Sequence, residues 1–169
     1  MTLHEGLLLA RLVFGLVMAA HGAQKLFGWF GGYGIAGTGG FFESIGFRPG
    51  RLFAAAAGSG EFAGGLLVAL GFLGPIGPAL MLSVMIVAAV SVHWGHLFAT
   101  NNGIEVPLLY GTAATALALI GPGAYSLDAL LGIGSIWTPV AKWAVLAVAI
   151  AAALVNLGLR RAPQVSTVH

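Results

Sequence analysis

No cysteine occurs in the 169-residue chain. That one absence removes disulfides, thiolate catalysis, thiolate-ligated iron–sulfur clusters and dithiol redox chemistry together. Charge is nearly as scarce. Charged residues make up 7% of the chain, seven cations against five anions, for a net charge of +2. Soluble domains carry about 25%, so these few charges cannot wet a soluble surface and the implied solvent is lipid. The pI near 9.4 rests on that small excess. No Lys/Arg cluster alternates with aromatic residues, which leaves no case for a nucleic-acid partner. The start, "MTLHEG", lacks a basic n-region, and Arg11 interrupts the first apolar run. That run is therefore expected to be a retained span rather than a cleaved signal.

What the chain has is apolar length. Hydrophobic residues account for 59% of it and mean hydropathy is +0.97. A helix needs about 20 apolar residues to cross a hydrocarbon layer of about 30 Å. Five runs meet or approach this, at about 6–27, 51–72, 76–94, 104–120 and 140–159. None alternates with period two, and in lipid a helix alone satisfies its backbone within one segment. The expected fold class is all-α, a polytopic membrane helix bundle. It forms one domain over 1–161, followed by a polar tail at 162–169.

The connectors carry local signals. Gly31 to Gly50 holds eight glycines in twenty residues. With no preceding strand and no clean GxGxxG, it reads as a membrane-surface loop rather than a nucleotide site. Phe41, Phe42, Ile45 and Phe47 suggest a short interfacial helix with Thr38 near its start. Ser126 is an N-cap candidate for another brief helix. Gly60 and Gly64 form a GxxxG that allows close approach of a neighbour. With five crossings, Lys25, Arg48, Arg51, Arg160 and Arg161 share one face, and Arg11 and Lys142 the other. The positive-inside rule then places the N-terminus outside and the C-terminus inside.

Helix rise converts sequence position into depth. His21 lies roughly 8–10 Å below the inner boundary and Lys25 one turn nearer to it, both on one face. Glu61, ten residues into the second run, sits roughly 15 Å deep. His93, His96 and Glu105 fall near the same inner end. Arg11 lies toward the opposite boundary on the stripe of Met18 and Lys25, within reach of Glu61. Charges at such depth face a bundle interior or a wet cavity. Each also has a plainer account: a snorkelling lysine, an Arg11–Glu61 register pair, a satisfied core histidine, interfacial polar residues. Convergence of four helices on one half of the bundle favours the functional account. A quinone fits such a set best, with carbonyl oxygens hydrogen-bonded by imidazole and cations, protons relayed by Glu61, and walls from Trp29, Phe30, Trp94 and Phe98. For the two tryptophans an interfacial belt is the stronger reading. Metal ligation by His93, His96 and Glu105, or haem between His21 and His93, are weaker options.

The stretches "ARLVFGLVMAAHGAQKLFGWFGG", "GTGGFFESIGF", "AAGSGEFAGGLLVALGFLG", "VSVHWGHLF" and "IEVPLLY…ALIGPGAYSLD" resemble the DoxX family of small bacterial membrane proteins. The likeness runs in order from Leu9 to Asp128. It implies four core membrane helices over about 6–131, with the helix at about 137–161 an addition. It implies a multi-pass location in the bacterial cytoplasmic membrane. The family's first-helix arginine, histidine and lysine are matched by Arg11, His21 and Lys25, its second-helix glutamate by Glu61, and its later histidine and glutamate by His93 and Glu105. Where the family has an "HxxNGFF"-like stretch, this chain has "HWGHLFATNNG". His96 replaces an asparagine there, and Asn101 or Asn102 is expected to take its place in space. The resemblance implies association with quinone-linked oxidation of sulfur compounds and oxidative-stress defence beside soluble partners, or detoxification of quinones or catechols.

The expectation carried forward is a subunit associated with an oxidoreductase, not an autonomous enzyme, that binds a quinone-like molecule in an intramembrane pocket. Glu61 and His21 are its candidate catalytic residues. Arg11, Lys25, His93 and Glu105 are its candidate ligand-binding residues. Its partners are membrane lipid, the small molecule and soluble redox enzymes. Two rivals stand beside it: a non-catalytic binding or transport protein for a small apolar ligand, and a membrane anchor for soluble redox enzymes.

Overall fold

The computed structural model describes residues 3–161, so the tail expected at 162–169 lies outside the described residues. The fold is all-α, and the described residues contain no strand. Among the described residues seven α-helices follow one another: α1 Leu3–Phe27, α2 Gly34–Ser44, α3 Gly50–Leu70, α4 Ile76–Ser91, α5 Glu105–Ile120, α6 Leu127–Leu130 and α7 Pro139–Gly158. By length and composition α1, α3 and α7 can each cross a membrane, while α4 and α5 are shorter at 16 residues.

Local chemistry sets the boundaries. Helix α3 stops at Gly71, whose φ is +64°. There the Gly71 N–H reaches Val68 O at 3.1 Å and the Phe72 N–H reaches Leu67 O at 2.9 Å, the paired bonds of a Schellman end. Ser126 caps α6 as expected, its Oγ accepting from Ala129 N at 3.1 Å. Thr138 caps α7 in the same way at 3.2 Å, with Pro139 in the first turn. Helix α4 ends at Ser91, before the expected Trp94. The N–H groups of Val92 and His93 both turn back to Ala88 O. The Asn102 side chain takes the Val92 carbonyl at 3.1 Å, so the chain leaves the helix there and His93 sits in a turn.

Helix α3 is central because glycine opens it on two sides. On one side Gly58 and Gly65, seven residues apart, meet Gly15 and Gly22 of α1, also seven apart. A Cβ on Gly15 would lie 2.6 Å from Gly65 O and from Ala69 N, so the two backbones are in contact. On the other side the anticipated Gly60–Gly64 pair faces α4. A Cβ on Gly64 would meet Leu80 Cβ at 3.0 Å, and one on Gly60 would meet Val84 Cγ2 at 3.1 Å. The interior joins Leu7 and Met18 of α1, Val68 of α3, Met81 and Met85 of α4, and Ala114 and Leu117 of α5. Outside, Leu9, Leu12, Val13, Leu16 and Val17 of α1 and Val140, Trp143, Val148, Leu154 and Val155 of α7 are exposed. An apolar exterior of this extent is what a lipid solvent permits.

The tertiary ties place the helix ends at two faces. At one, Arg11 of α1 bonds the chain after α5, and the Asp128 N–H reaches Gly71 O at 3.1 Å. Lys142 at the start of α7 donates to Leu119 O at the end of α5 at 2.9 Å. At the other face the end of α7 meets the α2–α3 elbow, with Arg161 N 2.9 Å from Gly46 O. The five long helices therefore alternate in direction.

Candidate functional site

The stripe Arg11, Gly15, Met18, Gly22 and Lys25 has spacings of four, three, four and three, which keep one line of α1 turned inward. Gly22 and Gly58 bring the α1 and α3 backbones together beside its last member. A Cβ on Gly58 would lie 3.2 Å from Lys25 Cβ, so the lysine stem lies along the glycine. Its ammonium lands one turn further along α3, where Lys25 Nζ pairs with Glu61 Oε1. Lys25 thus turns inward instead of snorkelling. Glu61 is 1% exposed, and its second oxygen, Oε2, is buried with no partner among the described residues. A buried carboxylate costs free energy unless it is paired or protonated. The lysine supplies the pairing, and the free oxygen keeps an unused acceptor near the middle of α3.

Lys25 also lines a cavity of about 360 Å³ between α1, α2, α3, α4 and α7. Phe41, Phe42, Phe47 and Phe53 supply its aromatic wall, and Ser83, Ser91, His93 and Asn156 its polar points. The phenyl rings follow one another in tilted contact, with centroids 6.0 Å apart for Phe42–Phe47 and 5.2 Å for Phe47–Phe53. His93 Nδ1 is 3.1 Å from Asn102 O. A carbonyl oxygen can only accept, so Nδ1 carries the hydrogen, and Nε2 of a neutral ring keeps its lone pair. The lining therefore offers a cationic donor, hydroxyl and amide groups, and an imidazole acceptor around an otherwise apolar volume.

Of the anticipated residues, Lys25 pairs with Glu61 and lines the cavity together with His93, while Glu61 lies behind the lysine and outside the lining. The others lie elsewhere. His21 sits 40° further round α1 than Lys25 on an ideal helix of 3.6 residues per turn. Its Nδ1 is 3.2 Å from Gln24 Oε1, and its ring stands edge-on to Tyr110 of α5 at 6.5 Å. Glu105 accepts from Ala99 N at 2.8 Å and so closes the 92–104 turn. His96 is exposed, and among the described residues no three His, Asp or Glu side chains gather as a metal would need. Asn102, one of two asparagines expected to replace a family asparagine in space, braces His93 through its backbone. Trp29, Phe30, Trp94 and Phe98 are all exposed and none lines the cavity; α2 supplies the aromatic wall instead.

Arg11 does not reach Glu61. Its guanidinium donates to Pro122 O and Tyr125 O at the opposite end of the bundle. Its charge there faces Asp128. Asp128 is 1% exposed and takes Leu73 N at 2.8 Å, Gly74 N at 2.7 Å and Trp137 Nε1 at 2.9 Å. This second polar centre latches α1, the end of α3, and α6 together. Sequence reasoning did not single out Asp128, Trp137 or Asn156. A signal for Asp128 existed: it is the one acid on the connector opposite Arg11, and an inward arginine needs a counter-charge.

Fold and site together define a small helical membrane protein with an aromatic-walled cavity beside a buried ion pair. The DoxX family model matches residues 6–94, more than half of the chain, and the chain belongs to the DoxX family. No match was found among curated proteins or solved structures. The matched region contains Lys25, Glu61 and His93, whereas α7, with Asn156, lies beyond it.

Proposed function

We propose that this protein binds a quinone-like molecule in the cavity beside Lys25 and Glu61, as the membrane subunit of an oxidoreductase system. The observation that carries the proposal is the unpartnered Glu61 Oε2, held one side chain away from a cavity whose wall includes Lys25. A planar ring fits against Phe41, Phe42, Phe47 and Phe53. One quinone oxygen accepts from Lys25 and the other from the Ser83 hydroxyl or the Asn156 amide, while the His93 Nε2 lone pair takes a hydroxyl hydrogen of the quinol once it forms, with Ser91 as a further polar contact. Reducing a bound quinone to the quinol takes two electrons and two protons. The electrons belong to a soluble redox partner. Glu61 and His93 are the groups placed to pass the protons, and Lys25 stabilises negative charge as it forms on the ligand oxygen. The same proposal places the protein as a multi-pass component of the bacterial cytoplasmic membrane, with its C-terminus inside. That orientation follows from Lys25, Arg48, Arg51, Arg160 and Arg161 sharing one face.

The test is quenching of tryptophan fluorescence by menadione in detergent-solubilised protein, since Trp94 adjoins His93. Lys25→Met and Glu61→Gln should weaken quenching at least tenfold, and His93→Ala several-fold. His21→Ala should retain it, because His21 faces Tyr110. Full affinity in both Lys25→Met and Glu61→Gln would refute the site. A second reading draws on the mostly phenyl and aliphatic wall: a carrier of a small apolar compound without redox chemistry. Menadione binding with no partner-dependent change in its redox state would select that reading.

A further inference from the structure

We propose that the arginines gathered where α7 meets the α2–α3 elbow form a phosphate-binding seat, occupied by the headgroup of an anionic phospholipid. Arg48 lies in the elbow and Arg51 in the first turn of α3, while Arg160 and Arg161 follow α7, more than a hundred residues later. The tertiary structure joins the two pairs. Arg160 Nε donates to Ile45 O at 2.6 Å, and Arg161 N donates to Gly46 O at 2.9 Å. Gly46 makes this approach possible. Its φ is +99°, and a Cβ there would lie 3.2 Å from Arg160 Cγ, so the arginine stem lies directly on the elbow. The stem of Arg51 rests on α2 in the same way, with Cγ 3.0 Å from where a Cβ on Gly39 would be.

All four arginines are exposed. Among the described residues, Arg51, Arg160 and Arg161 form no ion pair with a carboxylate. The acid in this neighbourhood is Glu43, whose Oε1 accepts Gly50 N at 3.0 Å. The bond to Ile45 uses Nε of Arg160 and leaves its terminal nitrogens, the pair suited to two phosphate oxygens. An inward-facing charge bias needs only that arginines lie on this face. It does not need two of them to be carried on a separate helix and hydrogen-bonded to the elbow beside the others. Apolar surface adjoins the cluster, since Phe41 and Leu52 are exposed at the ends of the helices that form the elbow. A phosphate with acyl chains matches both halves of that surface, whereas a free phosphate matches one. Basic pockets between helices at the headgroup level are general sites for anionic lipids.

The experiment uses the full chain in a non-ionic detergent, titrated with dioleoylphosphatidylglycerol, dioleoylphosphatidylcholine or sodium phosphate, and read by native mass spectrometry and thermal shift. Phosphatidylglycerol should bind as discrete adducts and raise the melting temperature, and phosphatidylcholine should do neither. Arg160→Gln with Arg161→Gln should weaken phosphatidylglycerol binding roughly fivefold for each arginine removed. Arg51→Gln, a residue with no hydrogen bond to the elbow, should weaken it roughly fivefold in a fold left undisturbed. Equal binding of the two lipids, or unchanged phosphatidylglycerol affinity in Arg51→Gln and the double variant, would overturn the seat. Stabilisation by sodium phosphate equal to that by phosphatidylglycerol would overturn the lipid assignment. None of these outcomes depends on what the cavity holds.

Discussion

Replacing Lys25 with methionine keeps the stem of the side chain and removes its charged end. Glu61 then remains 1% exposed with no cation against either oxygen. Breaking a buried pair from one side costs 3–5 kcal/mol in proteins generally, because the remaining charge is left uncompensated. The lysine side chain is 28% exposed, so the lower end, about 3 kcal/mol, applies here. For a chain of this size each kcal/mol lowers the melting temperature by about 2–4 °C, which gives a loss of about 6–12 °C. The double replacement Lys25→Met with Glu61→Met removes both charges and fills the same space with apolar atoms. Such replacements of buried pairs are neutral or stabilising, so the double variant should melt at or above the parent temperature. The assay is intrinsic-fluorescence melting in one detergent at one scan rate, since unfolding of such proteins is under kinetic control. The double variant should also be blind to menadione, which separates the pair's role in binding from its role in stability. If Lys25→Met melts with the parent protein, or if the double variant is as unstable as the single one, the buried pair is not what holds these two side chains and the argument fails.

Glycine spacing yields a sharp contrast. Gly65→Leu places a Cβ 2.5 Å from Ala19 N and Gly15 O, both backbone atoms, so α1 and α3 must separate. No monodisperse peak should survive gel filtration. Gly60→Ala meets one flexible group, Val84 Cγ2 at 3.1 Å, and should run with the parent protein. At the far face, Asp128→Ala strands two backbone N–H groups, the Trp137 indole and the Arg11 charge. A loss of about 2–4 kcal/mol is expected from the donors left without acceptors, read as a lower melting temperature. A red shift of tryptophan emission should accompany it and disappear in a Trp137→Phe background.

Much of the architecture was legible because lipid leaves a chain few choices. Five apolar runs, no period-two alternation and almost no charge dictate helices, three of which reach spanning length. The glycine pair at 60 and 64 and the cap at Ser126 act through neighbours in sequence, so they too can be read locally. Depth was legible for the same reason, because helix rise is constant. Arg11 and Lys25 indeed meet opposite ends of the bundle, and Glu61 lies near the middle of α3. What depth does not carry is azimuth. His21 and Lys25 are one turn apart and nominally share a face, yet a difference of 40° sends one toward Tyr110 and the other toward Glu61. The walls were missed for a related reason. Trp29 and Trp94 stand at the right height, but α2 folds back beneath the bundle and puts Phe41, Phe42 and Phe47 there first.

From its residues alone the chain determined its solvent, its main helices and the end of the bundle at which Arg11 and Lys25 lie, because each depends on composition or on spacing along one helix. Only the tertiary structure decided which groups meet. The contact of Gly15 and Gly22 with Gly65 and Gly58 rotates α1 against α3, and that rotation gives Lys25 to Glu61. The return of α7 to Gly46 closes the cavity with Asn156 and sets Arg160 beside the elbow. These pairings join residues up to 115 positions apart, and the interlocking of helix surfaces that selects them has no counterpart in any local stretch of sequence.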